Sequence, residues 1–454
     1  MSVQAAGAWG RLEAPAPGDL MGPPAPALPR VDEGCVSSPG AQVDSARLRV
    51  LTFTSLFPSR ARPRHGIFVE MRLRHLVQDC EVDARVIAPV PWFPFTSPAF
   101  GLYAKYAATP RRTTRDSGLQ VTHPRYLMLP KLGVSIQPDS MARAAVVDAF
   151  ELKRSGWHPD ILDAHYLYPD GVAAALLAER LKIPFVVTAR GTDVNVLART
   201  PGPAERIQWA AKRAAKVITV SLRLKEALVE LGVDESKIVV LRNGVDLDIF
   251  KPEDQSAARQ RLGLPGGRLA VCVGNLLPEK GLALAVESLA TLHGFRLVFA
   301  GDGPLRNDLI ALARRLGVEE RVIFLPTMPQ KDLRYLYSSA DVMLLTSIRE
   351  GWPNVVLESM ACGTPVVAVD VGAVGEMITH PVVGRIVAER DPLGISSAVL
   401  DLLDTPVTRE QIRDHAARFD WTSISLGQFD VIKRALRESA IGLKETLSCA
   451  PAST

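Results

Sequence analysis

From residue 48 onward the chain alternates short apolar runs with amphipathic stretches, in two series separated by one turn-rich segment. The first series reads as strands at 48–54, 82–89, 161–164, 184–189, 217–220 and 238–241, with helices at 66–78, 171–181, 204–215 and 222–231. Asn243, Gly244 and Asp246, then Lys251 and Pro252, break this rhythm with turn chemistry. A second series starts at 269–274 and continues with strands at 295–300, 321–325, 342–345 and 365–369. Strands that alternate with helices call for a parallel sheet covered on both faces, because parallel neighbours need a long crossover between them. Two such series in 454 residues predict an α/β chain of two Rossmann-like domains facing a cleft, with ligands at the carboxyl ends of the strands.

The boundaries that follow are 47–245 for the first domain and 246–420 for the second, then a helix at 421–440 and a flexible tail at 441–454. Residues 1–46 are rich in Pro, Gly and Ala with little aliphatic periodicity. Such a segment buries too little to offset its ordering entropy, and disorder is expected there.

The stretch 347–369 speaks most directly to function. A buried strand at 340–346 precedes it, Pro353 and Asn354 supply N1 and N-cap chemistry, and a helix runs through Glu358 to about residue 361 before Gly363 stops it. The amides of Asn354, Val355 and Val356 would leave the helix start free to meet an anion, where aligned peptide dipoles favour a phosphate. Glu350 stands before those amides and Glu358 about one turn inside. Two acceptor-only groups flanking a phosphate can hold hydroxyls on both sides of it, a sugar on one and a ribose on the other. Taken alone, the same pair also reads as two solvated surface acids.

The Glu350 to Glu358 spacing, with Gly351, Pro353 and Asn354 between and Gly363, Thr364, Pro365, Val366 and Val367 after, resembles the signature of the retaining GT-B glycosyltransferases of family 4, the group 1 glycosyltransferases. The resemblance covers about residues 48–436. It implies a GT-B fold with an acceptor-side first domain, a second domain that binds the nucleotide-sugar, and a last helix that crosses back onto the first. It implies that Glu350 contacts the donor sugar, Glu358 the nucleotide ribose, and the amides of Val355 and Val356 the diphosphate. It also implies retention, with the donor phosphate aiding acceptor deprotonation on the same face.

Gly274, Asn275, Glu279, Lys280 and Gly281 follow the first strand of the second series, so backbone can approach a phosphate there and Lys280 can supply a point charge. The stretch lacks the spacing of a dinucleotide fingerprint but resembles the family's phosphate loop, in which this Lys binds the donor diphosphate. The family often has Arg where Asn275 stands, which leaves charge neutralisation to Lys280, or to Arg349 or Arg190. Gly303, within the Gly301 to Pro304 turn at a strand end, lines the donor side by resemblance, although a plain turn accounts for it equally well.

Four acceptor-side residues are expected in the first domain. His65 and Gly66 open a helix after the basic loop that contains Arg60 and Arg64. His165, followed by the segment through Asp170, and Asp193, in the loop from Arg190, both come after strands and should project into the cleft. Many family members carry a His where Arg190 stands. An Arg there can pair with phosphate or carboxylate but cannot shuttle a proton at neutral pH. Glu350, Lys280 and Arg190 are thus the expected catalytic residues, and Asp193 either orients Arg190 or an acceptor hydroxyl, or caps a helix.

Trp92, Phe93, Phe95, Phe100, Tyr103 and Tyr106, with Arg111 and Arg112, form an aromatic and basic stretch suited to a membrane interface or an acceptor, or to a packed loop over the first domain, which is the plainer account. Basic faces near Arg143 and Lys212 would assist peripheral contact at the inner face of a membrane. A net charge of +4 makes no case for nucleic acid. No run of apolar residues is long enough to span a bilayer, and the start of the chain lacks signal-peptide character, so a cytoplasmic protein is expected. Five scattered cysteines, Cys35, Cys80, Cys272, Cys362 and Cys449, read as reduced thiols. His123, His158, His293, His380 and His415 have no partners at metal-ligand spacing, and neither metal nor cofactor is expected.

The resulting expectation is transfer of a sugar from a nucleotide diphosphate donor to a carbohydrate or lipid-linked hydroxyl, in polysaccharide or glycolipid biosynthesis. Rival readings are a hydrolase using Glu350 and Glu358, a nucleotide-sugar epimerase, and a non-catalytic subunit of a polysaccharide assembly complex.

Overall fold

The computed structural model describes residues 47–128 and 135–448. The extension expected to be disordered (1–46) and the end of the expected tail (449–454) lie outside the described residues, as do Cys35 and Cys449.

Each half is built on its own sheet. In the first, the strand order is Ile238–Val240, Lys216–Thr219, Phe185–Ala189, Ile161–His165, Leu48–Phe53, Val82–Ile87, Gln120–Thr122 and Arg112–Thr114, parallel throughout except for the final pair. In the second it is Val322–Leu325, Phe295–Ala300, Arg268–Val273, Val342–Leu345, Val366–Val369 and Gly384–Val387, all parallel. Helices on both faces bury the central strands: every residue of Ile161–His165, Phe185–Ala189, Val342–Leu345 and Val366–Val369 is buried, Asp163, His165 and Thr188 included.

Strand order reverses between Leu48–Phe53 and Ile161–His165 in the first sheet, and between Arg268–Val273 and Val342–Leu345 in the second. Loops leaving such a pair of strands turn to opposite faces and open a crevice. Both crevices carry the residues singled out from the sequence.

The chain crosses between the domains twice, side by side. Val245 N–H donates to Phe419 O at 2.8 Å, and Val245 bridges Asp420. The last helix, Trp421–Ser448, then packs on Ile67–Asp79, where Ile432 and Ala435 join Val50, Val69, Leu73, Leu76 and Val186 in one core. It runs to Ser448 rather than stopping at 440, so much of the segment read as a flexible tail is helical.

Several elements escape the sequence reading. These are the hairpin of Arg112–Thr114 and Gln120–Thr122, the strand Gly384–Val387, and the helices Arg306–Arg315, Gln330–Ser339 and Arg409–Ala417.

Candidate active site

The loops leaving Arg268–Val273 and Val342–Leu345 bring Lys280 and Glu350 together. Lys280 closes the short turn Pro278–Lys280, and its Nζ donates to Glu350 Oε1 at 2.7 Å. The side chains are 31% and 11% exposed, open to a ligand yet shielded enough for their charges to be felt. The two loops are tied by Ile348 N–H donating to Glu279 O at 2.8 Å, and braced by Arg390 Nη1, which donates to Thr346 O and Ser347 O at 2.9 and 2.7 Å.

A cavity of about 300 Å³ adjoins this pair, lined by Gly274, Asn275, Lys280, Gly301, Gln330, Val355 and Glu358, with Arg64 and Ile67 reaching in from the first domain. Glu358 is almost fully buried. Tyr337 Oη donates to its Oε2 at 2.9 Å. Burial pushes the Glu358 carboxyl up to about 7, with hydrogen bonds from Tyr337 and Gln330 opposing the shift.

The helix Asn354–Ala361 enters the site through Pro353, which stands at the N-cap, so Asn354 is the first helical residue rather than the cap. The Asn354 side chain turns outward instead, and its Oδ1 accepts from Asn243 Nδ2 at 3.2 Å. Val356 N–H donates to Pro353 O at 3.0 Å and is spent inside the turn, which removes it from the expected anion donors. The Asn354 and Val355 amides remain at the positions where a helix start lacks helical acceptors.

A second cavity, about 500 Å³, lies between the domains. Tyr166, Arg190 and Asn195 line one side, and Lys280, Arg349, Glu350 and Trp352 the other. Lys280 therefore borders both cavities. The domains touch at backbone level here. A Cβ on Gly351 would run into the Arg190 carbonyl, and one on Gly191 into Gly351, so only glycine permits this approach. Asn195 Nδ2 adds a bond to Glu350 O at 3.3 Å.

Arg190 is held rigidly. Its Nη2 meets His165 Nδ1 at 2.7 Å, its Nη1 donates to Asn243 Oδ1 at 3.0 Å, and its guanidinium lies over the Phe68 ring. Burial, then the neighbouring Arg72, pulls its pKa down to about 9, which leaves it cationic at neutral pH. Beneath it, His165 Nε2 lies 3.4 Å from Asp163 Oδ2, and Gln428 of the last helix joins Asp163 to Arg72 at 2.8 and 2.7 Å.

Several expected positions differ. His165 does not project into the cleft: it is fully buried beneath Arg190, and burial lowers its pKa to about 4, so it is neutral. Asp193 is also fully buried and accepts the backbone N–H groups of Leu167, Gly191, Arg190 and Val194, which leaves it no reach toward an acceptor hydroxyl or the Arg190 guanidinium. His65 bonds Ser55 O through Nε2 at 3.1 Å and is held neutral by burial, with a pKa near about 4. Gly66, at φ 72°, presses on the Leu56 backbone, where a Cβ would collide with Leu56 O. It is Arg64 and Ile67, not His65 and Gly66, that border the smaller cavity. Gly303 packs on the Leu276 backbone, while Gly301 lines the cavity.

Reading the sequence missed Arg64, Asn195, Asn243, Gln330 and Tyr337. One signal was present: Gln330 and Tyr337, seven residues apart, share a helix face. Arg64 and Asn243 sit in loops without a motif, and Asn195 ends the short helix Thr192–Asn195.

Residues 254–419 match the family described as Glycosyl transferases group 1, and 102–249 match Glycosyltransferase Family 4. TuaC of Bacillus subtilis, which carries the name of a teichuronic acid biosynthesis glycosyltransferase, is 34% identical over 339 residues, 73% of this chain and 83% of its own length. The D-inositol 3-phosphate glycosyltransferase of Acidothermus cellulolyticus is 34% identical over 337 residues, 67% of this chain and 73% of its own. Anabaena Alr3699/HepE in complex with UDP superposes with a TM-score of 0.65 at 22% identity, covering 85% of this chain and 99% of that one.

Proposed function

The chain belongs to the group 1 glycosyltransferases and has their GT-B fold, and on that basis we propose that it moves a sugar from a nucleotide diphosphate donor to a carbohydrate or lipid-linked hydroxyl, with retention, in polysaccharide or glycolipid assembly. The observation that carries this reading is the position of Lys280. Its ammonium borders both cavities and meets Glu350 where they join.

In this reading the nucleoside occupies the smaller cavity, with Glu358 accepting from ribose hydroxyls. The diphosphate lies against Gly274, Asn275, Lys280 and the Asn354 and Val355 amides, which stabilise charge as it develops on the leaving group. Glu350 holds hydroxyls of the donor sugar, and the acceptor approaches past Arg190, Tyr166 and Asn195. The bond from the anomeric carbon to the phosphate oxygen breaks, and a bond to the acceptor oxygen forms on the same face. The acceptor proton passes to the departing phosphate oxygen. Arg190 cannot take it, and serves as a fixed cation near the developing charge. The names of the relatives fit such chemistry: one refers to teichuronic acid biosynthesis, another to D-inositol 3-phosphate, and HepE was crystallised with UDP.

A hydrolase needs its two carboxyls across one scissile bond. Here Glu358 lines one cavity and Glu350 the other, with Lys280 between them, which disfavours that rival.

The test is thermal stabilisation by UDP, GDP and ADP and their sugars, in wild type and in Lys280→Ala. Stabilisation by one nucleotide class that disappears in the variant supports the reading. No response to any nucleotide would favour a non-catalytic subunit, and turnover of the donor sugar without an acceptor requirement would favour an epimerase.

A further inference from the structure

Residues 86–115 contain no Asp or Glu, and neither do residues 54–69. The structure brings these two acid-free segments together, with the Arg62 guanidinium 5.1 Å from the centre of the Tyr106 ring. The longer segment does not fold into a packed loop. Trp92 is 55% exposed, Phe95 56%, Phe100 45% and Leu102 50%. The rings nonetheless hold one another: Phe93 lies 5.3 Å from both Phe100 and Tyr103, and Phe95 stacks on Phe100 at 5.3 Å. Ring contacts of this kind fix a patch without withdrawing it from water, and an apolar patch of this density at a surface marks a place where something binds.

We propose that this patch seats the first domain on an anionic lipid bilayer. Aromatic side chains suit the headgroup level of a bilayer, and Arg60 and Lys105, both exposed, supply cations from segments that carry no acid of their own. The charge pattern selects lipid over a protein surface of mixed sign. Position gives the patch its use. The basic loop carrying Arg60 and Arg62 ends at Arg64, which lines the smaller cavity, so a seated patch holds the mouth of the cleft beside the membrane. This deepens the transferase reading and rests on its lipid-linked branch: the acceptor hydroxyl would reach the Arg190 side without leaving the bilayer surface.

The experiment is co-sedimentation of the full chain, without nucleotide, with vesicles of phosphatidylcholine alone or with about one third phosphatidylglycerol. Wild type should favour the anionic vesicles. Trp92→Ser, Phe95→Ser and Phe100→Ser combined should lower partition to both by more than about tenfold. Arg60→Ala with Lys105→Ala should remove the anionic preference by about fivefold per cation. Brominated acyl chains should quench tryptophan fluorescence in wild type, with the effect lost in the conservative Trp92→Phe, which guards against a misfolded triple variant. Failure of wild type to sediment, or equal sedimentation of the ring variant, overturns the proposal. So does a chain that ignores vesicles but self-associates through these rings. Nucleotide stabilisation in vesicle-free buffer reads the donor site separately, so the transferase reading can survive the loss of this one.

Discussion

Lys280 Nζ and Glu350 Oε1, 2.7 Å apart, hold each other at the point where the smaller cavity meets the cleft that Arg190 and Tyr166 line. Each is the other's counter-ion. A diphosphate would compete for Lys280 and leave Glu350 free to accept from sugar hydroxyls, so donor binding and the freeing of Glu350 are one event.

Glu350→Gln keeps the shape and removes the charge. Transfer should fall by about 10² to 10³-fold, while the thermal midpoint moves by no more than about 2 °C. Retained transfer at normal stability would remove Glu350 from the reaction.

Nucleotide affinity should depend on pH through Glu358. Burial raises its carboxyl to about 7 in the folded protein. If the ionised form is what receives the ribose, affinity strengthens between about pH 6 and pH 8 and flattens above that range. The slope should vanish in Glu358→Gln. Calorimetric titration across that range reads it, and an unchanged slope in the variant would show that another group is responsible.

Gly351→Ala should oppose domain closure rather than donor binding. Its new methyl meets the Arg190 carbonyl, on the opposite domain. A displacement on the order of 1 Å between reacting groups can cost about 10²-fold in rate. We expect kcat/KM to drop by about that factor, nucleotide stabilisation to persist, and solution scattering to report a wider molecule. A variant as compact and as active as wild type contradicts the closure argument.

Stability should also vary with pH in two directions. His65, His123 and His165 are buried with pKa values lowered to about 4, so between about pH 6.5 and pH 4 the unfolded chain binds more protons and stability falls as pH falls. Glu358 and Asp170 are raised to about 7, so between about pH 4 and pH 7 the folded chain binds more protons at these two, and their contribution falls as pH rises. Among the groups shifted this far, three oppose two, and denaturant midpoints should decline on the acid side of about pH 6. A midpoint that climbs steadily down to about pH 4 would mean that the histidines are not buried neutral.

The sheet strands were legible because burial on both faces makes most of their residues apolar, so runs of strand length stood out despite Thr52, Asp163 and Thr188. The loops holding Lys280 and Glu350 were legible because they follow such strands and carry Gly and Pro turn and helix-start residues at spacings that resemble a known family. What sequence could not supply was the direction of a side chain after its strand ends. His165 ends one strand and Arg190 follows the next, yet one lies under the other, and the Asp193 carboxylate turned inward to organise four backbone amides. Gly384–Val387 escaped notice because it is short and carries Arg385, paired with Asp401 at 2.7 Å, in the middle of its run. Asn243 lay in a linker whose turn chemistry hid its contact with Asn354.

Ile432 and Ala435 complete a core that begins with Val50. During synthesis the first domain therefore emerges from the ribosome without one of its walls, while the second, complete by residue 420, can fold before it. Val69, Leu73 and Leu76 wait for the last helix to cover them, which makes them the surface a chaperone would meet. A nascent chain stopped at residue 420 should give a protease-resistant second domain and a protease-sensitive first one. Equal resistance of both would show that the first domain closes without its C-terminal wall.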